Sequence, residues 1–479
     1  MIYHDDELLE HTEGQEVSLD QLNGDMVVRT IYKPEAPMEA VSEFKVLLEL
    51  KGVGSKNGRL GVDLVTVLDI SGSMAGERID KMKIAMRFLL KKLGHTDRLS
   101  VVTFNRKAAR LCPLLQIKEA SRKEIETLVN GLEARSTTNT EAGLRMAIDI
   151  LNDRTLIEGR RAAIMLLSDG MEDEESHAAD FPADKVPIYT FGLDCDFDPK
   201  LLFDIAKKSQ GGMFAAVSKV ENLTAAFSLS LAGLLNVAIE DLTLTITPSN
   251  DYKITEVKAG IYHQQMVCKY DNPVTITFGS LYDREIRKVL VKLTLPEVTK
   301  QSRNDIFKFA YKYSVGGKNT KLESKTESIH VNRNDTPTEA ENEEVIAEEK
   351  RIRTARKMKD ARLSADKKEL EEAREFLVSA KILLSEVDAI LIAQLDQLFH
   401  FMVSQETYDI KGRAFALALE ESHEAQRATT FTSDNAFKVR MFNTPLMDQY
   451  IEQADSFNGN YDYEVPTEEE DRQKVALVY

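Results

Sequence analysis

The stretch from Val62 to Met74, VDLVTVLDISGSM, constrains the fold more than any other part of the chain: an apolar run that stops abruptly in an acid, two serines and a glycine. Val62, Leu64, Val65, Val67 and Leu68, interrupted only by Asp63 and Thr66, suit a strand covered on both faces, which places it in mid-sheet. Asp69, Ser71 and Ser73 then fall just past the strand's carboxyl end, where open α/β sheets hold their ligands. Beyond them Ile79, Met82, Met86, Leu89 and Leu93 recur at helical spacing, which predicts a helix with one apolar stripe against the sheet and a basic opposite face.

Two further stretches bring matching polar groups to the ends of predicted elements. Ser136-Thr137-Thr138-Asn139-Thr140 precedes the amphipathic Leu144, Ile148, Leu151 pattern and so lies at a helix amino terminus. Ala162–Gly170, AAIMLLSDG, reads as another buried strand closing in Ser168 and Asp169. Singly, these residues have ordinary readings: Ser, Thr and Asp cap helices wherever a strand turns into one, and a loop asparagine such as Asn139 commonly satisfies backbone groups. Together, Asp69, Ser71, Ser73, Thr138 and Asp169 resemble the metal-ion-dependent adhesion site of von Willebrand factor A domains, with the D-x-S-x-S order intact. The resemblance implies that Ser71, Ser73 and Thr138 touch the metal, that Asp69 and Asp169 act through its waters, and that an open position attracts a partner's carboxylate. Hydroxyls with two carboxylates suit a hard cation that keeps some of its waters, so Mg²⁺ is expected, with Mn²⁺ or Ca²⁺ as alternatives. Thr137 stands where that family usually has glycine and adds bulk at a tight turn.

Composition narrows the partners. At 479 residues the chain has room for about three domains, and 43% apolar residues is ordinary for globular proteins. A formal charge of −17 argues against nucleic acid and against an anionic membrane. No stretch reaches the ~18 to 20 apolar residues of a membrane span. The acidic opening MIYHDDELLEHTEGQE has neither the basic flank nor the apolar run of a targeting signal, so an intracellular, cytoplasmic protein is expected. Cys112, Cys195 and Cys268 are dispersed, which predicts reduced thiols, and the histidines show no ligand spacing, which argues against a Cys/His zinc site. The glycine-containing loop at residues 52–58 lacks the spacing of a phosphate-binding loop. An acidic loop, Glu172–Glu175, follows Asp169 and reads as solvated surface or as a modifier of cation affinity.

The pattern along the chain changes character three times. Residues 1–40 read as a partly ordered acidic lead-in, with one strand over Met26–Ile31 as an option. Residues 41–235 are expected to form an α/β domain, a doubly wound, mostly parallel sheet. Its strands are expected at 62–68, 99–104, 162–167 and 187–192, an antiparallel edge at 108–115, and helices near 78–93, 119–131, 140–152, 198–209 and 220–235. Residues 236–332 alternate apolar and polar at period two and predict an antiparallel, sandwich-like β domain. A polar linker at 333–344 leads to a helical hairpin or bundle at 345–440, with apolar stripes through Ala373, Phe376, Leu377, Ala380, Leu383 and Leu384 and through Ile390, Leu391, Leu395, Leu398 and Phe399. Residues 441–479 read as a mobile tail in which Tyr450, Phe457, Tyr461 and Tyr463 are candidate docking points.

With VLDISGSM, TTNT and LLSDG in the α/β domain and GSLYDREIRKVLVKLTLP in the β domain, the chain resembles the plant A-domain ubiquitin ligases of the wavy-growth family. The β segment also resembles the domain that follows A domains in inter-α-trypsin-inhibitor-like proteins. Those ligases carry a RING with Cys/His zinc ligands, which three dispersed cysteines cannot supply, so the resemblance implies a RING-less paralogue. The expected function is a non-catalytic, cation-dependent protein-binding module or adaptor whose ligand offers an Asp or Glu. Related ligases or their substrates are the expected partners. Two alternatives stand beside it. A metal-dependent phosphatase or hydrolase would use Asp69 as nucleophile, but position 71 lacks the second carboxylate such chemistry calls for. A scaffold would use the metal only to stiffen the fold.

Overall fold

A computed structural model describes residues 22–170, 186–194, 196–249, 251–266, 273–317, 320–337, 340–429, 441–460 and 463–478. Glu172–Glu175, Cys195, Cys268 and Tyr461 lie outside these residues.

The central strand, Gly61–Asp69, is buried at every position. It pairs in parallel with Arg98–Phe104 on one side and with Arg160–Ser168 on the other. Ile188–Leu193 and then Met213–Val217 extend the parallel sheet beyond Arg160–Ser168. The far edge is antiparallel, made by Ala108–Arg110 and Leu115–Gln116 against Arg98–Phe104. Side chains of the central strand alternate between two cores, as a strand's period of two requires. Val62, Leu64 and Leu68 meet Met82, Met86 and Leu89 of the helix Glu77–Lys92, together with the helix Leu223–Leu235. Val65 and Val67 meet Leu144 and Ala147 of the helix Thr140–Asp153, and the same core holds Leu202 and Ile205 of the helix Pro199–Lys208. The doubly wound α/β domain is therefore the one the apolar periodicity predicts, plus the strand Met213–Val217. That strand escapes notice in the sequence because MFAAV is short and alanine-rich.

The second unit is a β-sandwich. One sheet has the order Asp25–Tyr32, Val41–Val53, Ile286–Leu295, Lys253–Lys258. The other runs His263–Met266, Val274–Tyr282, Val237–Pro248, Ser302–Ser314, Glu327–Asn334, Glu35–Pro37. Two domain expectations are corrected here. Val41–Val53 does not open the α/β domain: it pairs antiparallel with Asp25–Tyr32 and with Ile286–Leu295, and Val46, Leu48 and Leu50 lie in the sandwich core. Asp25–Tyr32 is likewise a full strand rather than a partly ordered lead-in. The α/β domain is thus inserted between strands of the sandwich. Hydrogen-bonding partners some 240 residues apart, such as Leu48 and Val289, leave no local trace in the sequence.

Glu343–Asp366, Leu370–Lys381, Ala389–Phe401 and Arg413–Ala425 are helices that share a core including Met358, Ala361, Leu377, Leu395, Leu398 and Phe415. The last of them caps the edge of the parallel sheet, where Glu421 Oε2 accepts the Phe214 N–H at 2.8 Å. The expected mobile tail is also corrected. Pro445–Gly459 is a helix lying on Leu223–Leu235, with Tyr450 and Phe457 buried at 0% and 1% exposure, so neither is free to dock a partner. Tyr463 packs, partly buried, against the same core. Asp471 holds Lys92 in a fully buried ion pair at 2.6 Å. Among the described residues no single helix is long and apolar enough to cross a membrane.

Asp63, at the amino end of the central strand, is fully buried and takes bonds from Arg98, Arg154 and Arg160 at 2.6–2.7 Å. Asp63→Asn should leave the buried Arg98 guanidinium without its counter-charge and cost about 3–5 kcal/mol, measured by denaturant unfolding. Glu421 makes a prediction of opposite kind. Burial pushes its carboxyl up to about 8, against the pull of the Phe214 N–H. Between pH ~4.5 and ~8 the unfolded chain releases a proton that the folded chain keeps, so this group makes stability fall as pH rises, by up to about 1.4 kcal/mol per unit. Glu421→Gln can still accept the Phe214 N–H, and its unfolding free energy should decline less than wild type between pH 5 and 8.

Candidate metal centre

The first segment of the site is set by how the central strand ends. Asp69 is fully buried and is held by neutral groups: Oδ1 accepts the Ser71 N–H at 2.8 Å and Oδ2 accepts the Ser168 hydroxyl at 2.8 Å. The Ile70 N–H donates to the Phe104 carbonyl at 2.8 Å, tying the turn to the neighbouring strand. A short 3-10 turn, Gly72–Met74, follows, and Met74 anchors it in the core. Ser71 is buried while Ser73 is exposed, and their Oγ atoms lie 2.9 Å apart. Ser73 donates its proton to Asp169 Oδ1 at 2.7 Å.

The second segment is stitched to the first through the backbone. Arg135 N–H donates to the Ile70 carbonyl at 2.8 Å, and Gly72 N–H to the Ser136 carbonyl at 2.9 Å. These bonds bring Thr138, which is buried, against the third segment: a Cβ built on Gly170 would stand 2.7 Å from Thr138 Oγ1. The left-handed residue of this loop is Ser136, at φ 77°, whereas Thr137 is exposed, so its added bulk points to no crowded turn. Asn139 does what a loop asparagine commonly does, capping the helix Thr140–Asp153 by accepting the Ala142 N–H at 2.8 Å. The structure therefore brings Asp69, Ser71, Ser73, Thr138 and Asp169 together from three segments, at the carboxyl end of the parallel sheet.

Sequence reasoning gave no role to four further residues here. Ser168, quoted only as the end of its strand, is the second partner of Asp69. Arg78 donates to Asp169 Oδ2 at 2.7 Å and to Asp194 and Asp196 at 2.6 Å each. Asp194 directly follows the parallel strand Ile188–Leu193, so the rule that ligands gather at carboxyl ends of strands was the available signal. Arg78 carried none, being one of several basic residues on an amphipathic helix. Burial raises the Asp69 carboxyl to about 6, with the charge of Asp169 adding to the rise and the Ser71 bonds opposing it. Burial also raises Asp169, against the Ser73 hydroxyl and the Arg78 guanidinium.

The donor set is hard oxygen throughout, three hydroxyls and two carboxylates. Among the described residues no group of three or more His, Cys, Asp or Glu side chains is arranged to hold a metal, so any ion here would depend on the hydroxyls as well. That mixture fits Mg²⁺ or a similarly hard cation and does not fit one that wants thiolate or imidazole.

Residues 63–228 match the von Willebrand factor type A domain, and residues 383–456 match a family described as VWA / Hh protein intein-like. The chain thus carries a von Willebrand factor type A domain. It resembles the probable E3 ubiquitin-protein ligase WAVH2 of Arabidopsis thaliana, with 28% identity over 247 residues, which is 50% of this chain and 33% of the ligase. The chain spans about a third of the length of that relative. In solved structures, a von Willebrand factor type A protein from Catenulispora acidiphila superposes with a TM-score of 0.60 at 15% identity, covering 86% of this chain and 99% of that one. The ArnB paralog VWA2 from Sulfolobus acidocaldarius superposes with a TM-score of 0.51 at 14% identity, covering 84% and 98%. These likenesses extend the shared fold well beyond the A domain, to the sandwich and helices.

A Cβ on Gly170 would stand 2.7 Å from Thr138 Oγ1 and 3.4 Å from its Cβ and Cγ2. Gly170→Ala should push Thr138 from its place and cost about 1–3 kcal/mol, read from the denaturant midpoint.

Proposed function

We propose that this chain is a non-catalytic, divalent-cation-dependent protein-binding module. Ser71, Ser73 and Thr138 would offer their hydroxyl oxygens to the ion, and Asp69 and Asp169 would orient its waters and those hydroxyls. Mg²⁺ is the cation the donors suit best, with Mn²⁺ or Ca²⁺ able to use the same oxygens. An Asp or Glu of a protein ligand would complete the shell. The observation that carries this reading is the meeting of oxygen donors from three separate loops at one end of the sheet. Two carboxylates that burial disfavours as anions, at Asp69 and Asp169, gain from a nearby divalent charge.

The relatives give this reading its setting. A likeness to a plant E3 ubiquitin-protein ligase over half of this chain supports a role in recognising ligase substrates, as an adaptor or as a competitor of the ligases for them. An intracellular setting suits the free, buried thiol of Cys112. The hydrolase alternative gains nothing from the geometry, because the partners of Asp69 are a backbone N–H and a serine hydroxyl, neither of which serves as a general acid or base.

The test is direct. Asp69→Asn keeps the shape of the side chain and should weaken Mg²⁺ binding by about 10–100-fold in calorimetry, and capture of the protein ligand should be lost in EDTA, in Asp69→Asn and in Ser71→Ala alike. Ligand capture that persists through all three treatments would overturn the metal-centred reading in favour of the scaffold.

A further inference from the structure

Arg78 stands in an unfavourable place. It is the second residue of the helix Glu77–Lys92, whose N-cap Gly76 has φ 82°, and a cation at a helix amino terminus opposes the helix dipole. Three carboxylates, from Asp169, Asp194 and Asp196, hold its guanidinium there at 2.6–2.7 Å, and its side chain is only 18% exposed. One of those carboxylates belongs to the metal site, whose other oxygen takes the Ser73 hydroxyl proton. The guanidinium therefore supplies Asp169 with the positive charge that a divalent ion would also supply.

We infer that Arg78 is a tethered competitor of the divalent ion, an internal cation that holds Asp169 when the site is free of metal and sets how tightly the metal binds. The inference rests on the metal-site reading above and deepens it. Among these described groups, the four carboxylates of Asp69, Asp169, Asp194 and Asp196 outnumber the one guanidinium by three formal charges. A divalent ion would enter that field while repelled by Arg78. Asp194 and Asp196 give Arg78 somewhere to stay when Asp169 turns its charge to the ion. Their role is to tune the competitor, so neutralising them throws the full positive charge of Arg78 onto Asp169.

The two manipulations have opposite signs. Arg78→Gln should bind Mg²⁺ about tenfold tighter than wild type in isothermal titration of the full chain, and Arg78→Lys, which keeps the charge but not the fork that reaches three carboxylates, should fall between the two. The double variant Asp194→Asn, Asp196→Asn should bind Mg²⁺ several-fold more weakly than wild type, and adding Arg78→Gln to it should restore the affinity; this triple variant lacks the two aspartates that Arg78→Gln alone leaves unpaired, so it keeps the question answerable if Arg78→Gln fails to fold. Thermal melts give a second readout: without metal, Arg78→Gln should melt below wild type, and saturating Mg²⁺ should narrow the gap. If wild type binds Mg²⁺ and Arg78→Gln binds it equally or less well, Arg78 is a prop for Asp169 and the competitor role is overturned. If neither wild type nor any variant binds Mg²⁺ at millimolar concentration, the metal-site reading itself has failed.

Discussion

Everything in the α/β domain hangs on one strand, Gly61–Asp69, that is buried along its whole length and carries an acid near each end. The two acids are treated in opposite ways. Asp63 is saturated with charge: Arg98, Arg154 and Arg160 converge on its two oxygens. Asp69, six residues on and equally buried, meets a backbone N–H and a serine hydroxyl. A buried carboxylate surrounded by guanidinium groups is a closed electrostatic unit, whereas one held by neutral dipoles still carries most of its desolvation penalty. The charge of Asp63 is thus more than compensated within the fold, whereas the hydrogen bonds to Asp69 bring it dipoles and no cation.

The remaining units fasten the domain along its other sides. Arg59 joins Asp97 to Glu468 of the carboxyl-terminal segment, and the Asp97 Oδ1 accepts the Val62 N–H at 2.9 Å, so the start of the central strand is fixed by a buried ion cluster. The hydroxyls of Tyr189 in the parallel sheet and Tyr282 in the sandwich meet at 3.0 Å. Beside them burial works to raise the Glu285 carboxyl, but Arg287 and Arg427 hold it below its ordinary value. Since Arg427 follows the helix Arg413–Ala425, this buried cluster ties the sandwich to the helical region. An inserted domain anchored this way presents its loops from a rigid base.

How much of this could be read from residues alone varied with the range of the interaction. The parallel strands and their helices were legible because each announces itself through local periodicity, and the five candidate residues could be singled out because they cluster where strands end or a helix is about to begin. Pairing across the chain was not. Val41–Val53 has the composition of a strand for either domain, and only its register with Ile286–Leu295 assigns it to the sandwich. The carboxyl-terminal segment misled for a related reason. PTEEEDRQKVALVY is strongly charged and reads as solvent-exposed, yet its Asp471 is buried because Lys92 is buried opposite it, and each charge makes sense only with the other in view. Arg78 belongs to the same class, since nothing in its own neighbourhood in sequence distinguishes it from Arg87 or Lys83.

The helix Glu77–Lys92 connects these observations. At its far end Lys92 is buried, donates to the Pro466 carbonyl and to Asp471, and lies 4.3 Å from the centre of the Tyr450 ring. At its near end, fourteen residues or ~21 Å along the axis, Arg78 reaches the Asp169 carboxylate. A helix free to shift could relieve an arginine at its amino terminus by withdrawing it into solvent. This one is locked from behind by a buried ion pair and along its length by Met82, Met86 and Leu89 in the core. The position of Arg78 is consequently imposed by packing remote from the site, and the carboxyl-terminal segment, through Asp471, takes part in holding a positive charge beside Asp169.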